Sequence, residues 1–212
     1  MGNDKCFCLA CMEEFSPPPI RNFLEKKPIL CDTCLEGVDS LIQEKTFAGT
    51  KILFLSGYSG NMKKWLLQYK EGLDVALSPC FLSPYLLLLR TYYFRSVFVP
   101  LPSSEKKNQE RGFVHLEEIL RSANLPFLSV LAKEEETEQK ELGPSGRRDG
   151  KKMRLLPGTS SLSGKHIVLF DDVLTTGETF RKALALLKTL PVASIRGLVL
   201  MDNGDDWHRI NG

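Results

Sequence analysis

Ile167-Val168-Leu169-Phe170-Asp171-Asp172-Val173-Leu174-Thr175-Thr176-Gly177-Glu178-Thr179 reads as a buried strand, a polar loop and the first turn of a helix. The apolar-rich run from His166 to Phe170 has no polar face, which suits a strand covered on both sides. It delivers two carboxylates to its C-terminal edge, where open α/β sheets place their ligands. The helix that follows is expected over Phe180 to Leu190, with Phe180, Ala183, Leu184 and Leu187 on one face. Unpaired backbone N–H groups and the positive end of the helix dipole suit a phosphate there. Gly177 permits close backbone approach, and the threonine hydroxyls add donors. The plainer alternative makes Asp171 and Asp172 helix caps and the threonines the partners of a tight turn. Two adjacent carboxylates at the end of a buried strand are unfavourable unless a ligand uses them, and that alternative leaves the Thr-Thr-Gly unexplained.

Outward from this segment, strand and helix signals alternate. Ile52 to Leu55, Ser96 to Val99 and Ile195 to Met201 read as further strands. Helices are expected from an Asn61 cap through Lys70, over Phe81 to Tyr92 with Pro84 in the first turn, and over His115 to Ala123. Strands apolar on both faces alternating with helices define an α/β class with a mostly parallel sheet flanked by helices. Residues 132–164 break the pattern: Glu134, Glu135, Glu136 and Glu138 precede Arg147, Arg148, Lys151, Lys152 and Arg154, which predicts a long mobile loop, either a lid or a solvated connector.

The 212 residues suit one ordinary domain with a small appendage, and 42% hydrophobic content supplies a real core. The longest apolar candidate for a membrane span, Phe81 to Leu89, is interrupted by Ser83 and Pro84. With no apolar signal core at the N-terminus, the sequence predicts a cytoplasmic protein without membrane insertion. A formal charge of +2 does not by itself demand a nucleic-acid partner.

Five of the six cysteines fall within the first 34 residues, a clustering that points to metal rather than to a disulfide framework. Cys8-x2-Cys11 and Cys31-x2-Cys34 form two knuckles 19 residues apart, and four thiolates so spaced suit a structural zinc. Residues 1–45 therefore read as a zinc-ribbon or knuckle module, and residues 46–212 as the α/β domain. Four reduced, buried cysteines are the alternative; Cys6 either replaces Cys8 in the set or lies beside it. Cys80 is expected to be a small buried hydrophobe. His115, His166 and His208 are expected in structural or surface roles, with His115 alone near the proposed pocket.

The segment from Ile167 to Thr179 resembles the phosphoribosyl-pyrophosphate loop of type I phosphoribosyltransferases, in which hydrophobic residues precede two acids and a Thr-Thr-Gly-x-Thr cradle. Val99-Pro100-Leu101-Pro102-Ser103, Arg111-Gly112-Phe113 and Tyr69-Lys70 with Gly72 and Asp74 are similar to segments of the ComF family, as are the paired knuckles. Gln139, Leu142 and Arg147 resemble its mobile-loop pattern. Val114-His115 and Gly150 depart from it, where Asn-Gln and Asn are usual, and both departures fall at the pyrophosphate end.

The resemblance implies a type I phosphoribosyltransferase-like domain in which Asp171 and Asp172 bind the ribose hydroxyls and Thr175, Thr176, Gly177, Glu178 and Thr179 surround the 5′-phosphate. It implies that Leu101, Pro102, Ser103 and Ser104 hold pyrophosphate, assisted by Lys106, Lys107 or Arg111, with magnesium bridging the ligand's pyrophosphate and ribose oxygens. If chemistry occurs, Asp171, Asp172 and Arg111 are the expected catalytic residues. The implied role is an accessory protein of DNA uptake in natural transformation, working beside the DNA-translocating helicase. An ordinary salvage or biosynthetic phosphoribosyltransferase and a zinc-dependent adaptor with a relict pocket are the competing readings. Single-stranded DNA is a candidate partner through Lys63, Lys64, Lys106, Lys107, Arg111, Arg147, Arg148, Lys151 and Lys152, with Trp65, Tyr69 or Phe113 stacking bases if exposed.

Overall fold

Strands that are apolar on both faces dictate the architecture of this computed structural model, which describes residues 5–21, 28–133 and 153–203. The N-terminal part holds a two-stranded hairpin, β1 (Cys6–Phe7) and β2 (Glu14–Phe15), and a short helix α1 (Asp32–Glu36). The main sheet follows, built from β3 (Ser40–Phe47), β4 (Thr50–Gly57), β5 (Ser96–Pro100), β8 (His166–Leu174) and β9 (Ser194–Asp202). Its order is β3-β4-β9-β8-β5; only the β3–β4 pair is antiparallel, so the sheet is mostly parallel as the apolar runs predict. Register brings Asp171 opposite Val199 and Leu174 opposite Asp202, fixing the carboxylates at the C-terminal edge. The outer edge of β5 is closed by the segment after residue 125: Phe98 N–H donates to Pro126 O and Leu128 N–H to Phe98 O.

The helices are α2 (Gly60–Glu71), α3 (Leu86–Tyr92), α4 (Glu105–Arg111), α5 (His115–Ser122) and α6 (Glu178–Leu187). Helix α2 buries Met62, Trp65, Leu66 and Tyr69, and α6 buries Phe180, Ala183, Leu184 and Leu187, the faces expected from their spacing. The cap of α2 differs from expectation. Ser59 precedes a helix that begins at Gly60, and the Asn61 amide instead donates to Cys34 O at 2.9 Å. That bond ties the cysteine-bearing segment to the main domain. The helix expected from Phe81 to Tyr92 begins late: Phe81 ends a 3-10 turn that starts at Val75, Ser83–Tyr85 forms a second one, and α3 starts only at Leu86, because Pro84 lacks an N–H and restricts the residue before it.

The sheet begins at Ser40, so β3 straddles residue 45, where the sequence suggested a module boundary. The expected loop over 132–164 also has structure at its ends. β6 (Leu131–Lys133) pairs antiparallel with β7 (Met153–Leu155), and a 3-10 turn at Thr159–Leu162 buries Leu162. Residues 134–152 lie outside the described residues.

Candidate functional site

The cleft at the C-terminal edge of the sheet, about 620 Å³, lies where β8 hands over to α6. It is lined by Asp171, Asp172, the whole of Thr175 to Thr179, the loop Leu101 to Ser104, and Lys70, Lys107, Arg111 and His115. Residues that the sequence separates into a cradle, an acid pair and a pyrophosphate-loop candidate therefore share one cavity.

The cradle follows from local geometry. Gly177 adopts φ +69° and precedes α6 with no side-chain cap. A Cβ at this position would lie 2.4 Å from Phe47 Cζ, so only glycine fits. Thr176 Oγ1 accepts from Glu178 N–H at 3.4 Å. The remaining N–H groups of the first turn and the exposed Thr175 and Thr176 form an opening suited to a phosphate. The Glu178 side chain takes no part in it: its carboxylate pairs with Lys182 one turn along, at 2.7 Å, leaving only its backbone at the cradle.

The two aspartates occupy different electrostatic environments. Asp172 is buried, and its Oδ2 accepts from His115 Nε2 at 2.6 Å and from Lys70 Nζ. Burial raises its pKa, but the His115 hydrogen bond and the Lys70 charge together outweigh that and hold the carboxyl well below the usual range. Asp171 moves the other way. Burial and the neighbouring Asp172 charge push it up, although its Oδ1 accepts from Asp172 N–H at 2.9 Å. Burial also lowers the His115 pKa, against the opposing pull of Asp172. On its other side, His115 Nδ1 meets Ser103 Oγ at 3.1 Å, and its backbone carbonyl accepts from Tyr69 Oη at 2.8 Å.

Sequence reasoning did not find Lys70 or His115 as partners of Asp172; the one available signal was their place in the motifs around Tyr69-Lys70 and Arg111-Gly112-Phe113. Arg111 lines the cleft, but its Nε donates to Lys70 O at 3.3 Å, so part of the guanidinium is engaged in joining α4 to α2. Lys106 and Lys107 are exposed, and of these only Lys107 faces the cleft. Trp65 and Tyr69 are buried and Phe113 packs on Tyr69 with centroids 5.0 Å apart, so the exposure that base stacking on the first two requires is not met. Arg147, Arg148, Lys151, Lys152, Gln139 and Leu142 lie outside the described residues, as does Gly150.

The sulfur atoms of Cys8, Cys11, Cys31 and Cys34 all lie within 4.8 Å of one another, with Cys11 and Cys31 at 3.7 Å. Two thiolates at about 2.3 Å from one tetrahedral zinc stand about 3.8 Å apart, so the cluster is compatible with a zinc site. Tight turns build it: Met12 N–H donates to Cys8 O at 2.8 Å, and Cys34 N–H points at Cys31 Sγ at 3.4 Å. Cys6 is not one of the four. Cys80 is fully buried, and burial pushes its thiol up to about 12.

The phosphoribosyl transferase domain family matches residues 109–212, just under half of the chain and the part that carries α5, β8, the Thr175–Thr179 loop and α6. With the mostly parallel sheet and the acid pair at its edge, this defines the class: the chain has a type I phosphoribosyltransferase-like domain behind a four-cysteine cluster. Competence protein ComFC of Streptococcus pneumoniae (strain ATCC BAA-255 / R6) is 27% identical over 208 residues, 94% of this chain and 89% of that protein, and the chain is ComFC-like. Among solved structures, a hypoxanthine phosphoribosyltransferase from Staphylococcus aureus is 14% identical, with 64% of this chain and 66% of that one covered and a TM-score of 0.39. A purine phosphoribosyltransferase from Pyrococcus horikoshii Ot3 is 15% identical, with 59% and 83% covered and a TM-score of 0.38. The chain spans just under two thirds of the length of the first of these two. No helix among the described residues is long and apolar enough to cross a membrane.

Proposed function

We propose that this chain is a cytoplasmic accessory protein of DNA uptake in natural transformation, built as a zinc module and a domain whose cleft binds phosphoribosyl pyrophosphate with magnesium. The observation that carries this reading is the single cleft in which the Thr175–Thr179 cradle, Asp171 and Asp172 face the Leu101–Ser104 loop. The competence role comes from the similarity to ComFC. In this reading the backbone of the cradle holds the 5′-phosphate, the aspartates accept hydrogen bonds from the ribose hydroxyls, and Leu101 to Ser104 with Lys107 and Arg111 receive the pyrophosphate. A cleft with both acids and cations fits an anion that brings its own divalent ion. Magnesium, when bound, neutralises charge on the pyrophosphate. Zinc in the Cys8, Cys11, Cys31 and Cys34 cluster holds together a segment too small to fold on a core of its own.

Single-stranded DNA is the proposed second ligand, through Lys63, Lys64, Lys106, Lys107 and Arg111, and the uptake helicase the proposed protein partner. Binding to DNA is expected to weaken steeply with salt. Calorimetric titration with phosphoribosyl pyrophosphate and magnesium, followed by an assay of pyrophosphate release with nucleobase acceptors, tests the reading. Binding without release supports the accessory role. Release supports a salvage-type transferase, and absence of binding leaves an adaptor with a relict pocket.

A further inference from the structure

Four side chains form a continuous polar path across the cleft: Ser103 Oγ meets His115 Nδ1 at 3.1 Å, His115 Nε2 meets Asp172 Oδ2 at 2.6 Å, and Lys70 Nζ pairs with the same carboxylate. It runs from the loop assigned to pyrophosphate to the acid assigned to ribose. Asp172 as a carboxylate has no proton to give, so His115 Nε2 carries the hydrogen. In the neutral imidazole Nδ1 is then an acceptor, and the Ser103 hydroxyl must donate to it. Ser103 consequently points its proton at the imidazole and its lone pairs away from it. Ser103 and His115 both line the cleft.

We propose that His115 is a positioning residue that sets the direction of the Ser103 hydroxyl, so that taking up a proton turns Ser103 from an acceptor into a donor toward pyrophosphate. The inference rests on the reading of this cleft as a phosphoribosyl-pyrophosphate site. The proton comes from solvent and binds Nδ1. Nδ1–H then donates to Ser103 Oγ, and the hydroxyl proton is released to face an oxygen of the ligand. Nothing else changes hands, since Nε2–H keeps its bond to Asp172 throughout.

The charges around the imidazole decide when this happens. Asp172 on β8 favours the cation, Lys70 on α2 and Arg111 at the end of α4 oppose it, and burial opposes it most strongly. Asp171 lies beside Asp172, Lys107 and Lys133 line the same cleft, and Glu117 and Glu118 occupy His115's own helix. A polyanion placed next to Ser103 adds negative charge where the free protein has a net opposition to protonation. Pyrophosphate binding and proton uptake therefore favour each other. The Tyr69 hydroxyl fixes the His115 backbone, so the response is confined to protons rather than to movement of α5.

Glutamine at this position supplies an NH2 donor and a carbonyl acceptor in a neutral group that takes up no proton, so it can keep the resting polarity but has no protonated form to reverse it. The test is calorimetry of inorganic pyrophosphate with magnesium, on wild type and His115→Gln, in pairs of buffers with different ionisation enthalpies. At about pH 6, wild type is expected to take up more protons per pyrophosphate than His115→Gln, because the ligand's own protonation is common to both. Between about pH 8 and about pH 5.5, wild-type affinity should gain about tenfold relative to the variant. Ser103→Ala keeps the imidazole and its Asp172 contact, so it should retain the charge-driven proton uptake but lose the share of the acid-side gain that the reversed hydroxyl supplies, which guards against misfolding of the histidine variant. Equal proton uptake and parallel affinity profiles in proteins that all bind overturn the proposal alone. Failure of every protein to bind pyrophosphate at any pH overturns the reading of the cleft and the proposal with it.

Discussion

Gly177→Ala should weaken both the fold and the cradle, and its effect can be worked from two features of the backbone. The residue sits at φ +69°, and an L side chain in that left-handed region costs about 1–2 kcal/mol. The new methyl would also stand 2.4 Å from Phe47 Cζ and 2.9 Å from Cε2, far inside contact distance. Phe47 cannot swing aside freely. It is fully buried at the end of β3, packs edge-on against Phe180 with centroids 6.0 Å apart, and has the Arg181 guanidinium 5.3 Å over its ring. Overpacking of such a site costs about 1–3 kcal/mol more, giving about 2–5 kcal/mol together. For a chain of this size that lowers Tm by roughly 4–20 °C. Thermal unfolding followed by circular dichroism measures it. Phe47→Leu in the same chain removes the ring edge and should recover part of the steric share while leaving the φ strain, so the double variant is less destabilised than the two single losses added. A Gly177→Ala protein that melts within about 1 °C of wild type, or strict additivity in the double variant, would refute the contact between β3 and the Thr175–Thr179 loop.

The cysteine cluster predicts one zinc per chain by elemental analysis, and loss of the metal with a lowered Tm on Cys34→Ser; freshly prepared, fully folded protein without metal would sink the assignment. Asp171 predicts a pH signature in the ligand-free protein. Its carboxyl is raised to about 8, so its stabilising contribution is present below the ordinary carboxylate range and is lost as pH rises toward about 8. Asp171→Asn should therefore become increasingly stabilising relative to wild type from about pH 5 to about pH 8.5, and a flat difference between the two melting curves would contradict the half-buried, charge-opposed environment. Asp172 has the opposite sign: its depressed carboxyl stabilises above its ordinary range and is lost in acid. Asp172→Asn removes the negative charge that Lys70 and His115 share and should destabilise by about 3–5 kcal/mol, read as a shift in denaturant midpoint.

The parts of this molecule that were legible in the sequence are those whose chemistry is local. The run from Ile167 to Thr179 states strand, acids, cradle and helix in consecutive residues, and β8, the loop and α6 occupy it in that order. The paired Cys-x2-Cys knuckles are equally local, and the structure gathers their four sulfurs. The partners of Asp172 were not legible, because His115 is 57 residues away and reaches it only once α5 packs beside β8. The ribbon of β6 and β7 escaped notice because three-residue strands carry no measurable periodicity and border a strongly charged segment. The segment from Phe81 to Tyr92 departs from expectation for a different reason: its apolar content suits a helix, but Pro84 holds Ser83–Tyr85 in a 3-10 turn, and the α-helix begins only at Leu86.

In the proposed function the cleft between Thr175–Thr179 and Leu101–Ser104 binds phosphoribosyl pyrophosphate with magnesium, using Asp171 as a charged acceptor. Calorimetric titration at about pH 8.5, above the raised range of Asp171, should give saturable binding to wild type. Asp171→Asn, which leaves the Lys70–Asp172–His115 cluster in place, should bind at least about tenfold more weakly, as expected for loss of a charged hydrogen bond. No heat of binding with wild type, or equal affinities in the two proteins, would contradict the account.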